Sequence, residues 1–247
     1  MKISQEQKAE NRRKIIEAAV ELIGESGLKA ATMRQIARQA GVGDATIYNY
    51  FPTKEAILYG YYEDHMRTCI EALKAVPDFQ RFSLQEQVQT LFDTSQSLYL
   101  PDREFVAHTF RRTFLAGSGD WTRLKPIRAI FLAAIGDMLD AAAEVGEIPD
   151  QVFEDLIGQF FMEAYLGVIV YWLADTSDGF SNTSVLVDRG LDLACALIKA
   201  GIANKLFDMA LFLFKTHIVA RMEALAAHAP FGASGKRKRR FMEAFDE

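Results

Sequence analysis

The sequence predicts an all-α protein, and three observations carry that expectation. Apolar residues recur at helical spacing through nearly every segment, no run alternates β-branched residues in strand fashion, and no Asn-Gly hairpin signal is present. Breaks between the periodic stretches are short and rich in Gly, Pro, Asp and Ser, which is the punctuation of helix ends. Ten helices follow from this reading.

The first spans about 5–24, with Ile16, Ala19, Val20 and Ile23 on one face, and stops at GESG. A short helix over about 32–39 starts at Thr32, a natural N-cap, and carries Met33, Ile36, Ala37 and Ala40 on one face. AGVGD makes a turn, a third helix covers about 44–50, and Pro52 breaks the chain. Thr53 caps a long helix over about 54–75. Helices at about 83–99 and 103–115 follow VPDF and LPD. Beyond AGSGD comes a helix over about 126–145, with Pro126 in its first turn. Two apolar helices, about 150–174 and 182–200, flank DTSDGFSNTS, and a last one spans about 203–227.

Composition narrows the function classes. Of 247 residues half are hydrophobic and a quarter charged, which suits a globular protein with a real core. The polar start MKISQEQKAENRRK has no signal-peptide pattern, and AYLGVIVYWLA at 164–174 reads as too short to cross a bilayer. Two cysteines, Cys69 and Cys195, make no disulfide framework, so a cytoplasmic setting without membrane partners is expected. The net charge of −5 is unevenly spread. Residues 1–55 carry 9 Lys and Arg against 7 Asp and Glu, residues 56–235 carry 14 against 23, and the last twelve carry 5 against 3. An acidic body repels nucleic acid, so contact with DNA is confined to the ends. The expected domains are 1–55 for DNA, 56–228 for effector and dimer contacts, and a loose tail at 229–247 bearing KRKRR.

The chemistry lies in TIYNYF, residues 46–51. Two short helices joined by a tight glycine-containing turn fit a helix-turn-helix. Ile47 and Phe51, four apart, face inward against Val42 and Ile36. Thr46, Tyr48, Asn49 and Tyr50 then lie on the outer side, where hydroxyl and amide groups reach phosphates and base edges. Gly41 permits a positive φ at the turn. Lys54 opens the next helix, where its ammonium and the free N–H groups suit a phosphate.

The stretch TMRQIARQAGVGDATIYNYFPTKEAIL, with the leading helix KIIEAAVELIGESG, closely resembles the DNA-binding region of TetR-family transcriptional regulators over about residues 12–62. The resemblance implies a homodimeric all-α repressor with a three-helix DNA-binding domain and a larger domain that binds a small effector and dimerises through a four-helix bundle. By the same resemblance, Thr32 and Arg34 touch phosphates or bases from the second helix, and Asp44, Ala45 and Thr46, after Gly43 as a weak cap, face the bases at the N-terminus of the recognition helix. Asn49 sits in the groove, while Tyr48, Tyr50 and Lys54 hold the backbone. Gly43-Asp44 departs from the family's usual Ser followed by a basic or polar residue. Asp44 is therefore either a reader of cytosine amino groups or a cap on its own helix.

The central region is rich in aromatics. Most are core, and Met66, Cys69, Phe92, Phe131, Phe161 and Tyr165 are candidates to line an apolar cavity for an apolar or amphipathic effector. In HTFRRTF, His108, Arg111 and Arg112 either meet an effector carboxylate or phosphate or pair with surface acids. The apolar helices near 150–174 and 182–200 need burial on two sides, and the resemblance to the TetR family implies that the dimer bundle lies there.

The four histidines show no metal-ligand spacing, GVGDAT follows a helix rather than a strand and so is no dinucleotide loop, and no catalytic constellation has local support. No cofactor, metal or enzymatic activity is expected. Two other functions fit the residues: a DNA-binding protein answering to a protein partner, and a helical lipid- or acyl-binding protein with vestigial DNA contacts.

Overall fold

The computed structural model describes residues 4–115, 121–151, 154–202 and, beyond these, 204, 205, 209 and 212. The described residues form α-helices with short 3-10 turns and no strand. Helix α1 (Gln5–Ser26) begins where the Ser4 hydroxyl accepts the Gln7 N–H, and ends at Gly27, whose φ of 81° only glycine adopts easily. Thr32 opens α2 (Met33–Gln39) with a full capping box, its hydroxyl taking the Gln35 N–H while the Gln35 side chain returns to the Thr32 N–H. Helix α3 (Ile47–Tyr50) is short, and α4 (Lys54–Lys74) starts at the Thr53 cap.

A second capping box, Ser83 with Glu86, opens α5 (Leu84–Tyr99), and α6 is Arg103–Phe110. Three long helices follow: α7 (Trp121–Glu144), α8 (Glu154–Ala174) and α9 (Ser181–Lys199). Between α8 and α9, the Asp175 carboxylate accepts from the N–H and hydroxyl of both Ser177 and Thr183, at 2.6–2.9 Å. Those four bonds hold a corner in which Phe180 takes the left-handed φ of 58°. The Arg103 guanidinium braces it, stacking on Trp172 and Phe180 and donating to the Leu173 carbonyl.

Helices α1 to α4 bury Ile15, Ile23, Ile36, Ile47 and Ile57 at one end of a continuous core. Helix α4 then runs on into a larger aromatic core shared with α5, α6, α7 and α8. Residues to Ala200 form one compact unit, and Gly201 onward forms another.

Three details depart from the periodicity reading. The third helix starts at Ile47 rather than near 44, because Asp44–Thr46 form a tight turn closed by Thr46 N–H to the Gly43 carbonyl. Pro126 lies inside α7 rather than in its first turn, since the helix already runs from Trp121. The last five residues of the helix expected at 103–115, Arg111–Leu115, widen into a π-helical turn. The length argument against a membrane span also changes. Helix α8 has 21 residues and is apolar enough, by length and composition, to cross a bilayer, although half of that stretch is buried within the protein. Its packing on α6, α7 and α9 accounts for the buried half. The helix expected at 203–227 and the tail at 229–247 lie, apart from a few positions, outside the described residues.

Candidate nucleic-acid interface and effector core

The helix-turn-helix face is built around α3. Ile47 and Phe51 point into the core, which turns Tyr48 (53% exposed) and Asn49 outward. Tyr50 is half-buried, and its hydroxyl accepts from the Asn11 amide at 3.1 Å. Two shallow grooves flank this ridge. One is lined by Thr32, Arg34, Gln35, Arg38, Gly43 and Asp44, the other by Gln5, Lys8, Arg12, Thr46, Asn49 and Tyr50. Gln5, Lys8 and Arg12 were not singled out from sequence. The polar N-terminal half of α1 was the available signal, but nothing local tells that it lies beside α3.

Several side chains already have partners. Arg34 Nε lies 3.0 Å from the Asp44 carboxylate, so each neutralises the other on the exposed surface. That pairing belongs to neither role expected for Asp44, as base reader or as helix cap. Ala45 is exposed beside it. A Cβ on Gly43 would stand 3.2 Å from the Thr46 hydroxyl, so a side chain there asks that hydroxyl to shift by a few tenths of an ångström. Lys54 is half-buried, and its ammonium donates to the carbonyls of Leu28 and, at 2.6 Å, Ala31. It thereby staples the α1–α2 loop to the start of α4.

The second candidate set divides in two. Met66, Cys69, Phe92, Phe131, Phe161 and Tyr165 are 0–2% exposed and sit in the aromatic core. Tyr165 packs against Phe92 and Phe131, with ring centroids 5.5 and 5.2 Å away. His108, Arg111 and Arg112 lie on the exposed side instead. His108 abuts the position where Gly27 would carry a Cβ, and Arg112 pairs with Glu55 of α4 at 3.4 Å.

A chain of polar groups crosses the core, which sequence did not indicate. His65 Nε2 and the Ser95 hydroxyl are 2.9 Å apart, and that hydroxyl lies 2.7 Å from the Tyr165 hydroxyl. The His65 ring stacks on Tyr99 at 3.4 Å. Burial lowers the His65 pKa to about 3 and raises that of Tyr165 well above its ordinary value, so both stay neutral. Burial likewise pushes the Cys69 thiol up to about 12, leaving it inert. Among the described residues, no group of His, Cys, Asp and Glu has a metal-holding arrangement.

A three-helix DNA-binding unit joined by a continuous helix to a larger helical domain defines a ligand-domain transcriptional regulator. Residues 15–59 match the profile of bacterial regulatory proteins of the tetR family, and residues 87–213 match a tetracyclin repressor-like C-terminal domain. The chain belongs to the TetR family. It is 47% identical over 60 residues to the fatty acid metabolism regulator protein of Bacillus subtilis, a match covering 24% of this chain. It is 26% identical over 204 residues to the repressor KstR2 of Rhodococcus jostii, covering 80% of this chain and 93% of that protein. The matched stretches span only 31% and 33% of two Bacillus subtilis relatives, so those likenesses rest on about a third of each protein.

Among solved structures, the fold is shared with FadR from Bacillus subtilis in complex with stearoyl-CoA. The TM-score is 0.60 at 24% identity, over 76% of this chain and 98% of that one. Thermus thermophilus FadR in complex with lauroyl-CoA gives 0.57 at 22% identity, over 73% and 92%. These relatives are regulators, not enzymes.

Proposed function

We propose that the protein is a cytoplasmic, homodimeric repressor that leaves its DNA operator when a long-chain acyl thioester occupies the larger domain. The observation that carries this reading is the course of α4. Its first residue, Lys54, is bonded to the α1–α2 loop, and its later turns place His65, Met66 and Cys69 in the core. A rearrangement around those three residues moves the end of the helix that carries the DNA-facing unit. The Arg112–Glu55 pair adds a tie between the π-helical turn after α6 and the start of α4. The effector class comes from the two acyl-CoA complexes of similar fold. In this reading residues 1–55 serve DNA and residues from 56 serve effector and dimer contacts. Exposed apolar stripes on α8 and α9 support the dimer.

On DNA, Tyr48, Tyr50 and Lys54 bear on phosphates, while Thr46 and Asn49 face bases, with Thr32, Arg34 and Ala45 at the edges of the contact. Tyr48→Phe is expected to weaken binding to every fragment alike, by roughly three- to tenfold for one lost hydrogen bond. Asn49→Ala is expected to blur sequence preference instead. Asp44→Asn releases Arg34 to a phosphate, so binding to random DNA tightens and its salt dependence steepens by about one unit.

The test is selection of bound fragments from the source genome, then titration of the selected site against salt, with and without palmitoyl-CoA. A recurring palindrome released by the thioester supports the proposal. Specific binding that no acyl thioester reverses points to the effector-less reading, which the close packing of the six core candidates favours. Weak binding indifferent to sequence and salt points to an acyl-binding protein.

A further inference from the structure

The buried polar chain has no evident reason to exist in a core that aliphatic side chains would fill. A buried hydroxyl costs stability unless bonded, and apolar replacements of equal shape are commonly as stable. Yet three helices contribute to it: His65 from α4, Ser95 from α5 and Tyr165 from α8. Its residues are 0–8% exposed.

A surface groove opens two helical turns from it. The groove is apolar and lies between α4, α5 and α7, with Leu73, Phe79, Gln87 and Met138 in its wall. Leu73 is eight residues from His65 along α4, and Gln87 is eight residues from Ser95 along α5. Both separations are two helical turns, ~12 Å. On each helix the path between runs along the buried face, through Cys69 and Leu91. Met66 and Met138 flank that path, and thioether side chains re-pack readily around an inserted chain.

None of the groups that bond or stack in the chain is charged. A carboxylate or phosphate brought there would lose its hydration without a counter-charge, a far larger penalty than one exchanged hydrogen bond. An uncharged oxygen fits, because the Tyr165 hydroxyl can donate to it in place of Ser95 while Ser95 keeps its bond to His65.

We infer that the Ser95–Tyr165 hydrogen bond is the recognition point for one neutral carbonyl oxygen of the effector, an ester, thioester or amide, admitted along the α4–α5–α7 groove. Occupancy replaces the Ser95–Tyr165 bridge between α5 and α8, leaving the Tyr99–Tyr165 hydroxyl contact beside it, and so frees His65, on α4, from its tie to α8 through Ser95. The inference rests on the acyl-effector reading above, and it adds which atom of the effector is read and by which residues.

The experiment uses the full chain and two ligands that differ at one atom. Palmitoyl-CoA carries the thioester carbonyl, and S-hexadecyl-CoA is the thioether that lacks it. Calorimetric titration of the wild type is expected to show the thioester binding about three- to tenfold more tightly. Tyr165→Phe is expected to bring the two within about twofold of each other. Ser95→Ala, which releases the Tyr165 hydroxyl from Ser95 and leaves it the Tyr99 contact alone, is expected to keep or widen the difference. General damage to the fold weakens both ligands together and leaves their ratio as it was. Equal binding of both ligands to the wild type, or an undiminished ratio in Tyr165→Phe, overturns the inference while leaving the acyl reading intact. Binding of neither ligand removes the acyl reading and the inference with it.

Discussion

Taking the protein from pH 7 to pH 4.5 is expected to remove about 2–3 kcal/mol of stability through His65 alone. The imidazole is buried, stacked flat on Tyr99 and bonded to Ser95, and burial lowers its pKa to about 3. An unfolded histidine titrates near 6.5. Below that pH the unfolded chain takes up a proton that the native ring refuses. The stability is therefore complete above about pH 6.5 and falls, by ~1.4 kcal/mol per unit, as the pH drops toward 3. Denaturant unfolding of the wild type and His65→Phe at both pH values measures it. Phenylalanine keeps the stack on Tyr99 but does not titrate, so the wild type's lead over the variant should shrink by that amount on acidification. Parallel losses in the two proteins would mean that His65 is charged, or open to water, in the native state.

Legibility from sequence followed the range over which each feature is encoded. Capping residues and apolar spacing act within a turn or two, so Thr32 and Thr53 marked helix starts that the structure places within a residue or so. The outward set of Tyr48 and Asn49 was readable because Ile47 and Phe51, one turn apart, leave no other orientation. The π-turn at Arg111–Leu115 has no local signature and read as ordinary helix. Partners that arrive from far along the chain were invisible. Lys54 meets carbonyls 23 and 26 residues away, and Ser95 meets groups 30 and 70 residues away. Sequence marked Tyr165 as a cavity candidate for its ring alone, without its hydroxyl or the two partners that give that hydroxyl a use. Asp44 shows the same limit at shorter range, since spacing alone did not bring Arg34 across the turn.

Phe160→Glu and Leu193→Glu are each expected to convert a dimer to monomers and to lower operator affinity at least 100-fold. The exposed large residues of α8, Leu156, Phe160 and Tyr171, recur at near-helical spacing with exposed Gly167 among them. On α9, Leu186, Leu193 and Leu197 form a similar stripe, with Gly190 between. A Cβ at Gly167 or Gly190 would meet nothing within 4 Å, so these glycines leave flat ground for another helix. Gly158 differs, because its missing Cβ makes room for Leu132 of α7 and so serves the internal contact.

In the proposed dimer, two such stripes pressed against their copies make a four-helix interface, with the exposed Glu163 on the same face of α8. Phe160 is 57% exposed and Leu193 62%, so a glutamate at either place does little harm to the isolated subunit. In the interface it buries an unpaired carboxylate, which association cannot offset. A monomer presents one α3 to one half-site and loses the second contact that linkage provides, commonly worth 10²–10⁴ in affinity. Sedimentation and operator titration on each variant separate the two claims. A variant that still sediments as a dimer would move the interface away from α8 and α9, and a monomer with undiminished operator affinity would show that pairing plays no part in DNA recognition.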